Sequence, residues 1–199
     1  MSVYFRPQAL GLRSERFGLR QSHSVKNEPG RQEQVNTTMD GFLKHFNNVR
    51  QRTRRVADCI PPEQIEWAPR EGMFSLGDLV RHIAVTERYV WAETVHNRPS
   101  LYVSHGKELA EGKHNVLAFL DRMHEESLEL FRALPQEAMN TNCRTLIGAH
   151  LVTWKWLQMM TEHEAHHRGQ LYTSLGCLGV ETPSLYGLSS EEVRQLGAA

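Results

Sequence analysis

No apolar run in this 199-residue chain approaches the roughly 20 residues that cross a bilayer. The opening residues, MSVYFRPQALGLRSER, also lack the apolar stretch of a secretory signal. The expectation is therefore a cytoplasmic protein with no membrane partner. An excess of charge of either sign is missing too. With 23 basic and 23 acidic residues, there is no broad basic surface of the kind a phosphate backbone demands, so nucleic acid is not an expected partner. Cysteine is scarce: Cys59, Cys143 and Cys177 are odd in number and far apart, which excludes a disulfide framework and any CxxC metal or redox motif. Alternating strand patterns are lacking, and the only hairpin-type dipeptide is Asp40-Gly41, at the start of a helical pattern.

What is plentiful is histidine. There are eleven, and three of them fall within the five residues 163–167. Apolar residues make up 40% of the chain, enough for the core of one globular domain. Residues 1–36 stand apart, with six basic residues against three acidic ones and no sustained periodicity. They read as a disordered basic arm ahead of a domain spanning 37–199. The arm is either a docking or targeting segment or sequence the domain does not need, including sequence upstream of a start at Met39.

Four helical patterns follow. Phe42, Leu43, Phe46, Val49, Val56 and Ile60 mark the first, which Pro61-Pro62 stops. Ser75 and Asp78 form a cap signal for the second, whose face runs through Leu79, His82, Ile83, Thr86, Tyr89 and Val90 to about position 96. The third spans about 114–134 and the fourth about 148–175, ending at Gly176 and Gly179. The expected fold is all-α, a four-helix bundle.

At 100° per residue, with His163 at 0°, His167 lies at about 40°, close to Trp156 and Met160 in the apolar stripe. Histidines at i and i+4 can reach one metal ion with bonds of about 2.0 to 2.1 Å. His82 also projects inward, on the second helix. Three unpaired buried imidazoles would be costly, and one divalent ion satisfies all three. His82 lies about 10 Å from the start of its helix, whereas the other pair lies about 15 Å from the end of theirs. The depths agree when helices two and four are antiparallel. That demands an up-down-down-up order with a long crossover between helices two and three, which residues 97–113 supply. His166 falls about 80° off the stripe and Glu164 at about 100°; both are candidates for supporting the ligands or moving protons.

Other readings of the same residues stay open. His163-Glu164-Ala165-His166-His167 satisfies HExxH, with Glu164 as general base of a zinc hydrolase and Glu191 or Glu192 as third ligand. Glu164-x-x-His167 with Glu111-x-x-His114 is the ExxH pair of a di-iron bundle. A metal with a purely structural role, without turnover, is a third.

The stretch FSLGDLVRHI, residues 74–83, and above all HEAHHRGQL, residues 163–171, leading to LGCLG, residues 175–179, resemble the DinB/YfiT superfamily of metal-binding four-helix bundles. The resemblance covers about 39–195 and leaves the basic arm outside. It implies a metal triad at His82, His163 and His167, a Zn2+ or Ni2+ ion with open positions for water or substrate, and frequent homodimers. It also implies a stress-linked protein, and characterised relatives include transferases and isomerases that use a low-molecular-weight thiol. The implied partners are therefore a small thiol and an electrophile. Cys177 stands where relatives often carry a basic residue.

Overall fold

Thr38 accepts a hydrogen bond from the Gly41 amide and so caps the first helix, α1 (Met39–Ala57). It is also the first of the residues 38–197 that the computed structural model describes. The basic arm expected at 1–36 lies outside them. Past α1, Pro62–Gln64 makes a single 3-10 turn. Ser75 and Asp78 then close a full capping box on the second helix. That helix begins as Leu76–Thr86, continues through a π turn, Glu87–Trp91, and ends with Ala92–Thr94; the continuous rod is α2. The π turn begins just after Thr86, whose hydroxyl donates to the His82 carbonyl at 2.7 Å.

A long connection leads to α3 (Gly112–Arg132), which starts on Gly112 at φ +77, a backbone state open to glycine. The last long helix, α4, is Thr153–Cys177. Periodicity places its start near 148, but the structure puts a small antiparallel hairpin there. Strands β1 (Asn142–Arg144) and β2 (His150–Val152) pair with Cys143 opposite Leu151. Three-residue strands are too short to display alternation in sequence. A short exposed helix, α5 (Ser190–Gly197), was likewise not anticipated. No described helix is long and apolar enough to cross a membrane.

Side-chain pairs fix the helix directions. Arg50 meets Glu164 and Thr53 meets Arg168, so α1 and α4 run parallel. Glu87 with His124, then His96 with the Leu130 carbonyl, make α2 and α3 parallel. Asn47 with His124 and Arg54 with Asp121 set α1 against α3, while His82 with His163 and Thr94 with Trp156 set α2 against α4. This is the up-down-down-up bundle, with the α2–α3 connection as its crossover.

The core has two apolar clusters, one around Val56, Leu79, Ile83, Leu120 and Leu171, the other around Phe42, Phe46, Leu128, Phe131 and Leu157. Each such side chain contributes about 1.5–3 kcal/mol when fully buried. Between the clusters lies a buried polar layer of Arg50, Glu87, His124 and Glu164. The histidines of interest stand at the same level.

A candidate metal centre

Because α2 and α4 run in opposite directions, one turn of α2 faces two turns of α4. His82 Nε2 lies 3.2 Å from His163 Nε2, which lies 3.0 Å from His167 Nε2. One nitrogen from each of the three falls within 4.8 Å of the others. Donors on a tetrahedral ion with bonds of 2.0–2.1 Å would stand roughly 3.3 Å apart, so the observed spacing suits a shared cation. The His167 tautomer suits it too. His167 Nδ1 donates to Gln170 Oε1 at 2.7 Å, which leaves Nε2 with its lone pair turned toward the other rings. His82 Nδ1 is buried without a hydrogen-bond partner.

His166, in contrast, is exposed and outside the cluster; its Nε2 accepts from the Gln170 amide at 3.2 Å. Its ring also stands edge-on to that of His167, 5.0 Å between centroids. Glu164 is 2% exposed and turns its carboxylate to Arg50 of α1, at 3.1 Å. A direction 100° from the stripe is a solvent direction on a lone helix, but here α1 packs against it.

Charged anchors next to the triad hold the rings in place. Arg81, fully buried, binds Glu66 and Asp78 and reaches across to the carbonyls of His105 and Ala110, tying the crossover to α2 beside His82. On α4, Glu164 and Arg168 follow His163 and His167 directly. Glu164 takes Arg50, and Arg168 donates to the Val49 carbonyl and the Thr53 hydroxyl, both at 3.3 Å. These bonds set the rotation of α4 about its axis and hence the aim of both histidines.

Four rings missing from the sequence-based site surround it. Trp91 lies 4.8 Å from His163, centroid to centroid, and Phe74 lies 5.3 Å from His82. His105 is 5.5 Å from His82, packs on Phe74 at 4.4 Å, and holds the Tyr102 hydroxyl at 2.8 Å through Nδ1. Tyr102 and His105 belong to the crossover, which has no periodicity to give their direction. Trp91 closes the π turn, and no pattern in the sequence announces the extra residue. Cys177 is exposed at the end of α4, about 15 Å along the axis from His167.

Burial pushes the imidazoles down from their ordinary value of 6.5. His82 falls to about 4, with His167 and His105 adding to the effect, and His163 to about 3, with His167 and His82 adding. His167 is lowered as well, by burial first, although its bond to Gln170 opposes this. All three are thus neutral at pH 7 with lone pairs available. For the metal-free protein the sign follows: the unfolded chain takes up protons near 6.5 and the folded one only lower down, so stability is full above 6.5 and falls on acidification through 4 and 3. Urea unfolding of chelator-treated protein at pH 7.5, 6, 5 and 4 (about one-unit steps chosen to span that window) is expected to show a steady loss, and a flat profile would contradict it.

The family described as the DinB superfamily matches residues 45–171 of this chain. Among curated proteins, YjoA of Bacillus subtilis (strain 168) is 25% identical over 140 residues, covering 69% of this chain and 89% of YjoA. Among solved structures, a DinB-like protein from Bacillus cereus superposes with a TM-score of 0.66 at 18% identity, covering 76% of this chain and all of the other (100%). YfiT from Bacillus subtilis, described as a probable metal-dependent hydrolase with an unusual four-helix bundle topology, gives 0.57 at 12%, covering 80% and 95%. A mycothiol-dependent maleylpyruvate isomerase gives 0.51 at 17%, covering 68% and 61%. These three structures share the fold.

Proposed function

This chain belongs to the DinB superfamily, and we propose that its His82, His163 and His167 hold one divalent metal ion at which a small thiol is activated toward an electrophile. The observation that carries the reading is the convergence of three Nε2 atoms, with the opposite nitrogen of His167 already spent on Gln170. Three protein donors leave a coordination position open, the mark of a catalytic rather than a structural site. A Zn2+ or Ni2+ ion bound there would lower the pKa of a coordinated thiol and so supply a thiolate at neutral pH.

The chain's own residues do the rest. Burial keeps the imidazoles neutral, Gln170 holds the His167 tautomer, and Arg81, Glu164 and Arg168 hold the helices that carry the rings. Phe74, Trp91 and Tyr102 offer apolar walls that limit water and suit an electrophile with a flat or apolar body. The thiol class draws support from the mycothiol-dependent isomerase with the same fold.

YfiT's description as a probable metal-dependent hydrolase favours a second reading, hydrolysis. In its HExxH form, Glu164 would be the base and Glu191 or Glu192 a ligand. Against that form, Glu164 is paired with Arg50, Glu191 with Arg194, and Glu192 bonds the Ser189 amide at the start of α5.

Elemental analysis of the purified protein is expected to find about one transition metal per chain, as one three-histidine site allows. The same protein is expected to consume a low-molecular-weight thiol when an electrophile is added, and to stop when a chelator removes the metal. Metal-bound protein that consumes no thiol across a panel of electrophiles removes the transferase reading. Casein digestion abolished by Glu164→Gln would put the hydrolase in its place.

A further inference from the structure

Three arginines of the described residues are buried: Arg50, Arg81 and Arg168. Arg50 is paired with Glu87 and Glu164, and Arg81 with Glu66 and Asp78. Arg168 is 6% exposed and pairs with no carboxylate among the described residues. Its contacts are the Val49 carbonyl and Thr53 hydroxyl at 3.3 Å and the Tyr186 hydroxyl at 3.5 Å, all long and all uncharged. A buried cation without a counter-charge is costly, and a bound anion removes the cost.

Arg168 also lines an open cleft of ≈ 520 Å³ between α4 and the segment that follows it. Hydroxyl groups of Tyr172, Thr182, Ser184, Ser189 and Ser190 belong to the residues around the cleft. Its α4 side is shallow, made by Ala165 and Gly169, and a Cβ at Gly169 would meet nothing within 4 Å. Two further arginines stand at its edge: Arg55 donates to the Ser184 carbonyl at 3.3 Å, and Arg52 lies 5.0 Å over the Tyr186 ring. No acid is among the residues that line the cleft; of the acids nearby in sequence, Glu164 is held by Arg50, Glu191 by Arg194 and Glu192 by the Ser189 amide, and Glu181 is exposed.

We infer that this cleft binds a small tetrahedral oxyanion, inorganic phosphate or the phosphate of a small monoester, with Arg168 as its charged partner. The Arg168 guanidinium and the hydroxyls of Thr182, Ser189 and Ser190 supply donors for such an anion, while those of Tyr172 and Ser184 are spent on the carbonyls of Pro183 and Leu188. The cleft is separate from the triad, because His167 and Arg168 project about 100° apart on α4. The inference does not depend on the thiol reading.

Calorimetric titration of the purified protein with inorganic phosphate and with phenyl phosphate, against chloride at matched ionic strength, tests it. Saturable binding is expected, weakened at least about tenfold by Arg168→Gln, equivalent to about 1.4 kcal/mol. Arg168 also ties α4 to α1, so Gly169→Leu is the second variant: it fills the cleft from an open helix position, leaves Arg168 in place, and is expected to block binding while helix content holds. Tighter binding of phenyl phosphate identifies a monoester site, and tighter binding of phosphate a site for the free ion. No heat beyond the chloride control, or binding unchanged in Gly169→Leu, overturns the inference.

Discussion

His82→Ala is expected to empty the proposed metal centre, lowering metal content from about one ion per chain to below about a tenth, since two of three donors cannot hold the ion against buffer. An ion present at about a thousand times its dissociation constant stabilises the fold by about 4 kcal/mol. In a chain of this size that corresponds to roughly 8–16 °C of melting temperature, and the variant is expected to forfeit that gain. Metal-free protein behaves differently. His82 there carries a buried Nδ1 without a partner and a pKa pushed down to about 4, so its removal is expected to change metal-free stability by only about 1 kcal/mol. His166→Ala supplies the contrast: the residue is exposed, packs edge-on against His167 and is hydrogen-bonded to Gln170, but is not one of the three grouped histidines, and the metal should stay. Full occupancy in His82→Ala, measured by elemental analysis, would sink the triad.

The second large effect lies in the polar layer behind the triad. One Arg50 nitrogen, Nη2, serves both Glu87 and Glu164, and all three residues are at most 4% exposed. Arg50→Met leaves two carboxylates buried without their cation, an expected loss of about 3–5 kcal/mol, or roughly 6–20 °C. Adding Glu87→Gln and Glu164→Gln to the same chain should recover most of the loss by removing the stranded charge. Arg50 Nε and Nη1 are buried without partners, which makes the layer costly even when intact. Its use is orientation: Glu164 sits between the two α4 histidines, and loosening it should also weaken metal affinity. Urea unfolding within 1 kcal/mol of the unmutated protein would contradict the expectation (about the uncertainty of such measurements).

The inward aim of His163 and His167 was legible because a helix repeats every 3.6 residues, and a histidine among Trp156, Met160 and Leu171 shares their face. Glu164 was not legible by the same rule. Helical projection gives an angle without saying what stands there, and in this bundle 100° from the stripe leads to Arg50 of α1. Arg168 is a parallel case: its charge suggests solvent, and its surroundings are α1 and the segment after α4. The hairpin before α4 escaped because its strands are three residues long. The π turn escaped because a single inserted residue leaves no periodic trace.

By itself, then, the sequence determined the four long helices, the three histidines on their inner faces and, through the depth of those histidines and the length of one connection, the antiparallel pairing of α2 with α4. Those are consequences of period and distance along a single chain. Only the tertiary structure decided which groups stand around them: Gln170 on His167, Phe74, Trp91, Tyr102 and His105 around the rings, Arg50 between two acids, and Arg168 at a cleft with no acid among its lining residues. Such contacts join residues tens of positions apart, and their energies depend on burial, which no local pattern measures.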